Sequence, residues 1–146
     1  MIEIDNISKR MGDKILFENF SVEIPDKAFA IITGDSGTGK TTLLNMIGAI
    51  EKYDSGDIRI NNKSIKAYSK RKLFREELGF LFQNFALIEN KTVEENLSLV
   101  MDWDKKSDKI QESLDIVWLP NIRKKKVYQL SGGEQQRVAL ARLMLK

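Results

Sequence analysis

Hydrophobic residues alternate with polar ones near the start of the chain and form continuous runs further along. The runs 2–7 and 16–24 alternate, which predicts two short strands joined by a turn at 12–14. The run Ala-Phe-Ala-Ile-Ile at 28–32 has no polar residue, so it predicts a buried strand of the parallel type. A second apolar run, 79–83, predicts another strand, and its residues Phe80, Leu81 and Phe82 are expected in the core.

Between these runs, and after them, the apolar residues adopt a helical spacing. Short helices are predicted at 42–47 and 69–77, and an alternating strand at 57–60 lies between them. Thr92 and Glu95 have the spacing of a capping box, which predicts that another helix begins at the residue after Thr92.

Two longer helices are predicted in the rest of the chain. Apolar residues at 110, 114, 117 and 118 share one helical face, so a helix is expected to end before Pro120 with Trp118 packed against its neighbours. The last segment, 134–145, is apolar nearly all round from residue 138 onward, so we expect it to be buried.

Composition and charge exclude several classes of protein. The 146 residues correspond to one domain or part of one, with 42% apolar and 31% charged residues as in ordinary globular proteins. A net charge of +3 is too small to indicate nucleic-acid binding by itself. The absence of cysteine excludes disulfides and thiolate metal sites, and no apolar run reaches the roughly 18 residues that span a bilayer.

The sequence Gly-Asp-Ser-Gly-Thr-Gly-Lys-Thr at 34–41 matches the phosphate-binding P-loop pattern. It lies between a predicted strand and a predicted helix, the context that this loop requires, whereas the alternative is a glycine-rich turn with an unrelated lysine. Backbone N–H groups and the helix N-terminus would bind phosphate, Lys40 would reach the β- and γ-phosphates, and Thr41 would ligate Mg²⁺. The predicted nucleotide contacts in this loop are Gly34, Ser36, Gly37, Thr38, Gly39, Lys40, Thr41 and Thr42.

A second motif, Leu-Ser-Gly-Gly-Glu-Gln-Gln-Arg at 130–137, begins the last predicted helix. Ser131 is a good N-cap residue, and the two glycines after it leave N–H groups accessible at the helix N-terminus. The motif is therefore either a second anion site or a loop that only caps its helix.

The two motifs together resemble the nucleotide-binding domain of ABC transporters over the whole chain. Residues 131–135 match the signature motif of that family, and Gln83 matches its Q-loop glutamine, although from the residues alone Gln83 could be a polar strand end. The resemblance implies an α/β P-loop NTPase fold of the ABC type, with an N-terminal antiparallel β subdomain and a helical signature subdomain. The segments 33–48, 79–96 and 130–145 resemble the branch that exports lipoproteins, macrolides or bacteriocin-like peptides.

The resemblance also implies the ligands and partners. ATP and Mg²⁺ are the expected cofactors, with Lys40 and Gln83 as catalytic residues and Thr41 and Gln83 at the metal. Met11 takes the position of the residue that stacks on adenine. Contacts to the ATP of a second, head-to-tail copy are expected from Ser131, Gly132, Gly133 and Gln135. A separate membrane permease would anchor the subunit at the cytoplasmic face of the membrane and would meet the loop after Gln83.

Some parts of the family pattern have no match here. No apolar run ending in Asp-Glu follows the signature helix, and no histidine is present. We therefore expect an N-terminal fragment that ends before the Walker B strand, without the general base and inactive by itself. The predicted parts are a β subdomain with the P-loop core at 1–83, a mainly helical subdomain at 84–133 and the signature helix at 134–146. The strand at 29–33 would lack neighbours, which favours self-association.

Two other functional classes are compatible with the same motifs. A soluble ABC-type ATPase of DNA repair or translation would carry a coiled-coil insertion or a second domain, and neither is visible in this sequence. A nucleotide-binding module without hydrolysis would retain the P-loop, and phosphate release by the purified chain separates it from an ATPase.

Overall fold

The computed structural model describes residues 1–101 and 106–146, and the side chains of residues 106 and 107 are not described. The chain divides into two compact units, Met1–Leu78 and Gly79–Lys146. The division of the chain at 83 and 133, which was predicted from the sequence, stays a prediction.

The first unit is built on a four-stranded antiparallel sheet. Its strands are β1 (Ile2–Met11), β2 (Lys14–Ile24), β3 (Ser55–Ile60) and β4 (Lys63–Ser64), in the spatial order β2-β1-β3-β4. Helix α1 (Lys40–Ile47) and a short helix α2 (Lys70–Lys72) follow the P-loop and β4 respectively. A 3₁₀ turn at Ile65–Ala67 precedes α2, and a π-type turn at Leu73–Glu77 follows it. The predicted hairpin and the helices near 42–47 and 69–77 are confirmed.

A bulge in β1 places the unit's core residues on one face of the sheet. Ile4 and Ile7 are three residues apart, so a regular strand would turn their side chains to opposite faces. The register shifts between them, and Asn6 has a positive φ of 49°. Gly56 of β3 faces this bulge, where a Cβ atom would lie 2.4 Å from the Asn6 carbonyl oxygen. Both isoleucines are therefore buried.

The hydrophobic core of the first unit joins this face to α1. Helix α1 contributes three buried residues spaced so that they share one face of the helix. The buried core residues are Ile4, Ile7, Leu43, Met46, Ile47, Ile58, Ile60, Ile65 and Leu73.

The second unit is helical. It contains α3 (Val93–Ser98), α4 (Lys106–Ile116), α5 (Gly132–Met144) and a 3₁₀ turn at Val127–Gln129. The predicted capping box is confirmed, because Thr92 and Glu95 exchange hydrogen bonds at the start of α3. The buried core residues of this unit are Val93, Leu97, Ile110, Leu114, Val117, Leu119, Ile122, Leu130, Val138 and Ala141.

Several sequence-based predictions of burial are wrong. The segment 28–33 is not a strand, and Phe29 and Ile31 are 91% and 72% exposed. The segment 79–83 is not a strand either, and Leu81 and Phe82 are exposed. Within the described part of the chain neither segment pairs with a strand, and only Ile32 and Phe80 of the apolar residues are partly buried.

Helix α5 and the turn after α4 also differ from the prediction. Only one face of α5 is buried, whereas Leu140 and Met144 are exposed. Trp118 is 86% exposed and has a φ of 62°. Because α4 ends at Ile116, Trp118 lies in the left-handed turn after the helix and points away from the core. No helix of the described residues is both long enough and apolar enough to cross a membrane.

Candidate nucleotide-binding site

Glycines shape the loop at 34–39, which precedes α1. Gly34, Gly37 and Gly39 have φ values of 144°, 79° and 101°, a region that other residues rarely adopt. Gly39 is also the N-cap of α1, and a Cβ atom there would lie 3.0 Å from the ring of Phe17. Glycine is thus needed at this position for its conformation and for the close packing of the loop on β2.

The ammonium group of Lys40 bonds back to the first residues of the loop. Its Nζ atom donates hydrogen bonds to the carbonyl oxygens of Gly34 at 2.8 Å and Asp35 at 2.6 Å. The Thr38 hydroxyl donates to the same Asp35 carbonyl at 2.9 Å. These bonds hold the first residues of the loop against the Lys40 ammonium group and so give the loop a positive charge, which a phosphate site requires.

A depression of about 470 Å³ lies beside this loop. Its lining comes from the end of β1, the start of β2, the loop and the first turn of α1, and consists of Met11, Lys14, Leu16, Ser36, Gly37, Gly39, Lys40, Thr41 and Thr42. Met11 approaches the first turn of α1, with its Sδ atom 4.0 Å from the Thr42 hydroxyl.

Most of the predicted nucleotide contacts therefore meet in one place. Gly34 and Thr38 belong to the same loop but do not line the depression. Among the described residues, those of the lining include two lysines and no carboxylate. With the N-terminus of α1 at its edge, the depression favours an anion, and the exposed Met11 offers an apolar surface beside it.

Thr41 is the residue predicted to ligate a magnesium ion, and it lines the depression together with the hydroxyl residues Ser36 and Thr42. In the described part of the chain, no group of three His, Cys, Asp or Glu side chains could hold a metal. Mg²⁺ in phosphoryl-transfer sites keeps several water molecules and uses one or two protein ligands with phosphate oxygens. The residues therefore fit an ion that arrives with a nucleotide.

The predicted signature motif in the second unit begins α5 with a capping box. The N–H and the hydroxyl of Ser131 both donate to one carboxylate oxygen of Glu134 at 2.8 Å, and the Glu134 N–H donates back to the hydroxyl at 3.3 Å. The bonds from Ser131 lower the pKa of Glu134. Gly132 and Gly133 are exposed, with no atom within 4 Å of a Cβ position.

Gln135 has a contact that differs from its predicted role. Its side-chain amide donates to the carbonyl oxygens of Val127 at 3.3 Å and Leu130 at 3.1 Å. In this structure Gln135 thus holds the segment before α5 in place. The structure shows that the motif caps its helix, whereas the role of the motif as an anion site remains a prediction.

Gln83 is exposed. The loop after it is held by side chains that were not among the predicted site residues. Arg142 of α5 donates to the carbonyl oxygens of Phe85 at 2.9 Å and Ala86 at 2.7 Å. Both loop residues have positive φ values, 59° and 47°. Arg142 interrupts an otherwise apolar stretch of the sequence. This isolated charge was the sequence feature that could have indicated a functional or structural role for Arg142.

Asn96 holds the other end of this loop from inside the core. It is fully buried, and its side chain bonds to the N–H and the carbonyl of Ile88 at 2.8 and 3.1 Å and to the Thr92 carbonyl at 3.0 Å. In the sequence, Asn96 looks like an ordinary polar residue in the first turn of a helix, so nothing indicated that its side chain is buried and holds the loop.

Comparison with known proteins decides the family. The pattern of the family described as ABC transporter matches residues 17–146. The chain belongs to this family. A dimeric structure of MJ0796, a bacterial ABC transporter cassette, matches with a TM-score of 0.86 and 34% identity, covering 99% of this chain and 69% of that one. The same cassette bound to ADP and Pi after hydrolysis matches with a TM-score of 0.84 and 33% identity. The predicted ABC-type fold is thus confirmed.

Curated relatives include proteins with and without a stated direction of transport. The methionine import ATP-binding protein MetN of Clostridium tetani is 38% identical over 99% of this chain and 48% of its own length. The ABC transporter ATP-binding protein YxdL of Bacillus subtilis is 33% identical over 99% of this chain and 61% of its own length. The chain thus spans about half the length of the first of these relatives and somewhat more of the second.

Proposed function

We propose that this chain is part of the ATP-binding subunit of an ABC transporter. The observation that carries the proposal is the loop at 34–39, which bonds to the ammonium group of Lys40 beside a depression whose described lining has no carboxylate. Membership of the family makes ATP the expected ligand, and one structural relative is described with ADP and Pi.

In this proposal Lys40 exchanges partners when ATP binds. Its ammonium leaves the carbonyl oxygens of Gly34 and Asp35 for the β- and γ-phosphates, and the N–H groups of 37–41 contact the phosphate oxygens. The Thr41 hydroxyl contributes to Mg²⁺, and Met11 packs on the adenine. Methionine packs on a ring without aromatic stacking, so we expect little preference for ATP over GTP.

The second unit supplies the remaining proposed contacts. Gln83 acts at the metal and the attacking water. The signature residues contact the ATP held by a second copy in a head-to-tail dimer, and they are Ser131, Gly132, Gly133 and Gln135. The similar MJ0796 cassette has a dimeric structure, which supports a two-fold arrangement here.

Membership of the family implies ATP hydrolysis by the transporter. For the 146-residue chain itself we propose ATP binding without turnover. Its sequence has no histidine, and no carboxylate belongs to the described lining of the depression, so the described residues of that lining offer no general base beside the phosphates. Phosphate release above background from the purified chain would contradict this part of the proposal.

The relatives favour import over the export predicted from the sequence. The names of MetN and of the sulfate/thiosulfate protein CysA both state import, whereas the name of YxdL states no direction. We therefore propose an importer, with a membrane permease as partner and a position at the cytoplasmic face through that partner. Uptake of solute by right-side-out vesicles that contain the assembled transporter and enclose ATP tests the direction, and ATP-driven loss of preloaded solute from these vesicles would contradict it.

Titration calorimetry with MgATP tests the nucleotide site. Lys40→Ala removes a charge-assisted contact worth about 1.5–3 kcal/mol, so affinity should fall roughly 10- to 150-fold. Lys70→Ala, on the exposed surface of α2 outside the depression, is the matched control and should bind like the wild type. Equal ATP affinity of Lys40→Ala and the wild type would contradict the proposed site.

A further inference from the structure

Lys14 brings a second ammonium group to the P-loop from the β1–β2 hairpin. It is the first residue of β2 and pairs across the turn with Met11. Its Nζ atom donates a hydrogen bond of 2.8 Å to the carbonyl oxygen of Gly37, which lies 23 residues away in the sequence. Lys14 lies outside the P-loop motif, and the motif therefore assigns it no role.

The bond from Lys14 fixes a peptide group that would otherwise rotate easily. Gly37 has a φ of 79° and no atom within 4 Å of a Cβ position, so sterics restrain its backbone little. In a trans peptide the carbonyl and the next N–H point in opposite directions. Holding the Gly37 carbonyl therefore also sets the direction of the Thr38 N–H, one of the donors proposed for phosphate.

Lys40 does not perform this task. Its ammonium is engaged with the carbonyl oxygens of Gly34 and Asp35, at the other end of the loop. The two lysines thus hold different peptide groups of the same loop, and both side chains line the depression. Because no described carboxylate shares that lining, both charges also favour a polyphosphate there.

We propose that Lys14 is a positioning residue of the nucleotide site, which orients the P-loop at Gly37 and strengthens binding of the triphosphate. This inference rests on the proposed function of the loop. It assigns to the β1–β2 turn a role in recognising the phosphates, next to the apolar surface of Met11.

The experiment compares Lys14→Met and Lys14→Arg with the wild type and with Lys70→Met as a matched surface control. Affinities for MgATP, inorganic triphosphate and adenosine are measured by calorimetry. One exposed charge-assisted bond predicts that Lys14→Met weakens ATP and triphosphate binding about 3- to 10-fold. Adenosine binding should not change, Lys14→Arg should stay within about twofold of the wild type because it keeps the donor and the charge, and the thermal midpoint should not move.

Amide NMR tests directly whether Lys14 orients the loop. In the nucleotide-free chain, the Thr38 amide resonance should shift in Lys14→Met and return toward its wild-type position in Lys14→Arg. An unchanged ATP affinity of Lys14→Met, in a chain whose Lys40→Ala variant loses ATP, would overturn the inference and leave the proposed function standing. Equal weakening of ATP and adenosine would overturn it as well. A wild-type chain that binds neither ATP nor triphosphate would contradict both.

Discussion

Replacing Asn96 by leucine removes three hydrogen bonds that hold the loop after Gln83. The Ile88 N–H donates to the buried Asn96 carbonyl, so it would face an apolar side chain, which costs about 1–3 kcal/mol. The two carbonyls lose less, because each also accepts a backbone bond, from Lys91 to Ile88 at 3.2 Å and from Asn96 to Thr92 at 3.0 Å. The expected loss in unfolding free energy is about 2–3 kcal/mol.

Urea unfolding followed by circular dichroism measures this loss. Asn90→Leu, at an exposed position of the same loop, is the matched control and should stay within about 0.5 kcal/mol of the wild type. Asn96→Asp keeps the acceptor for Ile88 and removes both donors, so it should also lower the midpoint. If Asn96→Leu unfolds at the wild-type urea concentration, the loop does not depend on this side chain and the reasoning fails.

Three other changes test separate contacts. Arg142→Ala removes two charge-assisted bonds to the loop carbonyls and should lower the unfolding free energy by about 1.5–3 kcal/mol, measured in urea, with partial recovery in Arg142→Lys. Trp118→Gly should raise it by about 0.5–1 kcal/mol, since it relieves a left-handed backbone at an exposed residue, and a lower midpoint would contradict this. Hydrogen bonds from Lys91 and Thr92 lower the pKa of Glu95 to about 2, and bonds from Ser131 lower that of Glu134. Both contributions are present above the ordinary pKa of 4.5, so stability measured by thermal melts should decline as the pH falls from there toward 2.

Elements that depend on neighbouring residues in the sequence were predictable. The P-loop glycines, the β1–β2 hairpin and the capping box at Thr92 are each specified within a few residues, because turns and caps are closed by local hydrogen bonds. Met11 was predicted at the adenine by its position in the family pattern. It lines the depression with the loop, and its contact with adenine stays a prediction.

Burial and long-range contacts were not predictable in the same way. An apolar run such as 28–32 becomes a buried strand only if another strand pairs with it, and the sequence of the run cannot supply that partner. Lys14 and Arg142 contact carbonyl oxygens 23 and 56–57 residues away. A residue pattern can single out the charged side chain, as it does for Arg142, but backbone carbonyls carry no side-chain signature, so the pattern does not indicate which carbonyls the side chain contacts.

An amide NMR titration of the chain with MgATP tests the proposed nucleotide site most directly. If the loop is the phosphate cradle, the largest shifts will fall on the amides of 37–41, and Lys40→Ala will greatly reduce them at the same ATP concentration. Shifts that are absent, or that lie outside both the loop and the depression around Met11, would contradict the proposal that this chain binds ATP through its P-loop.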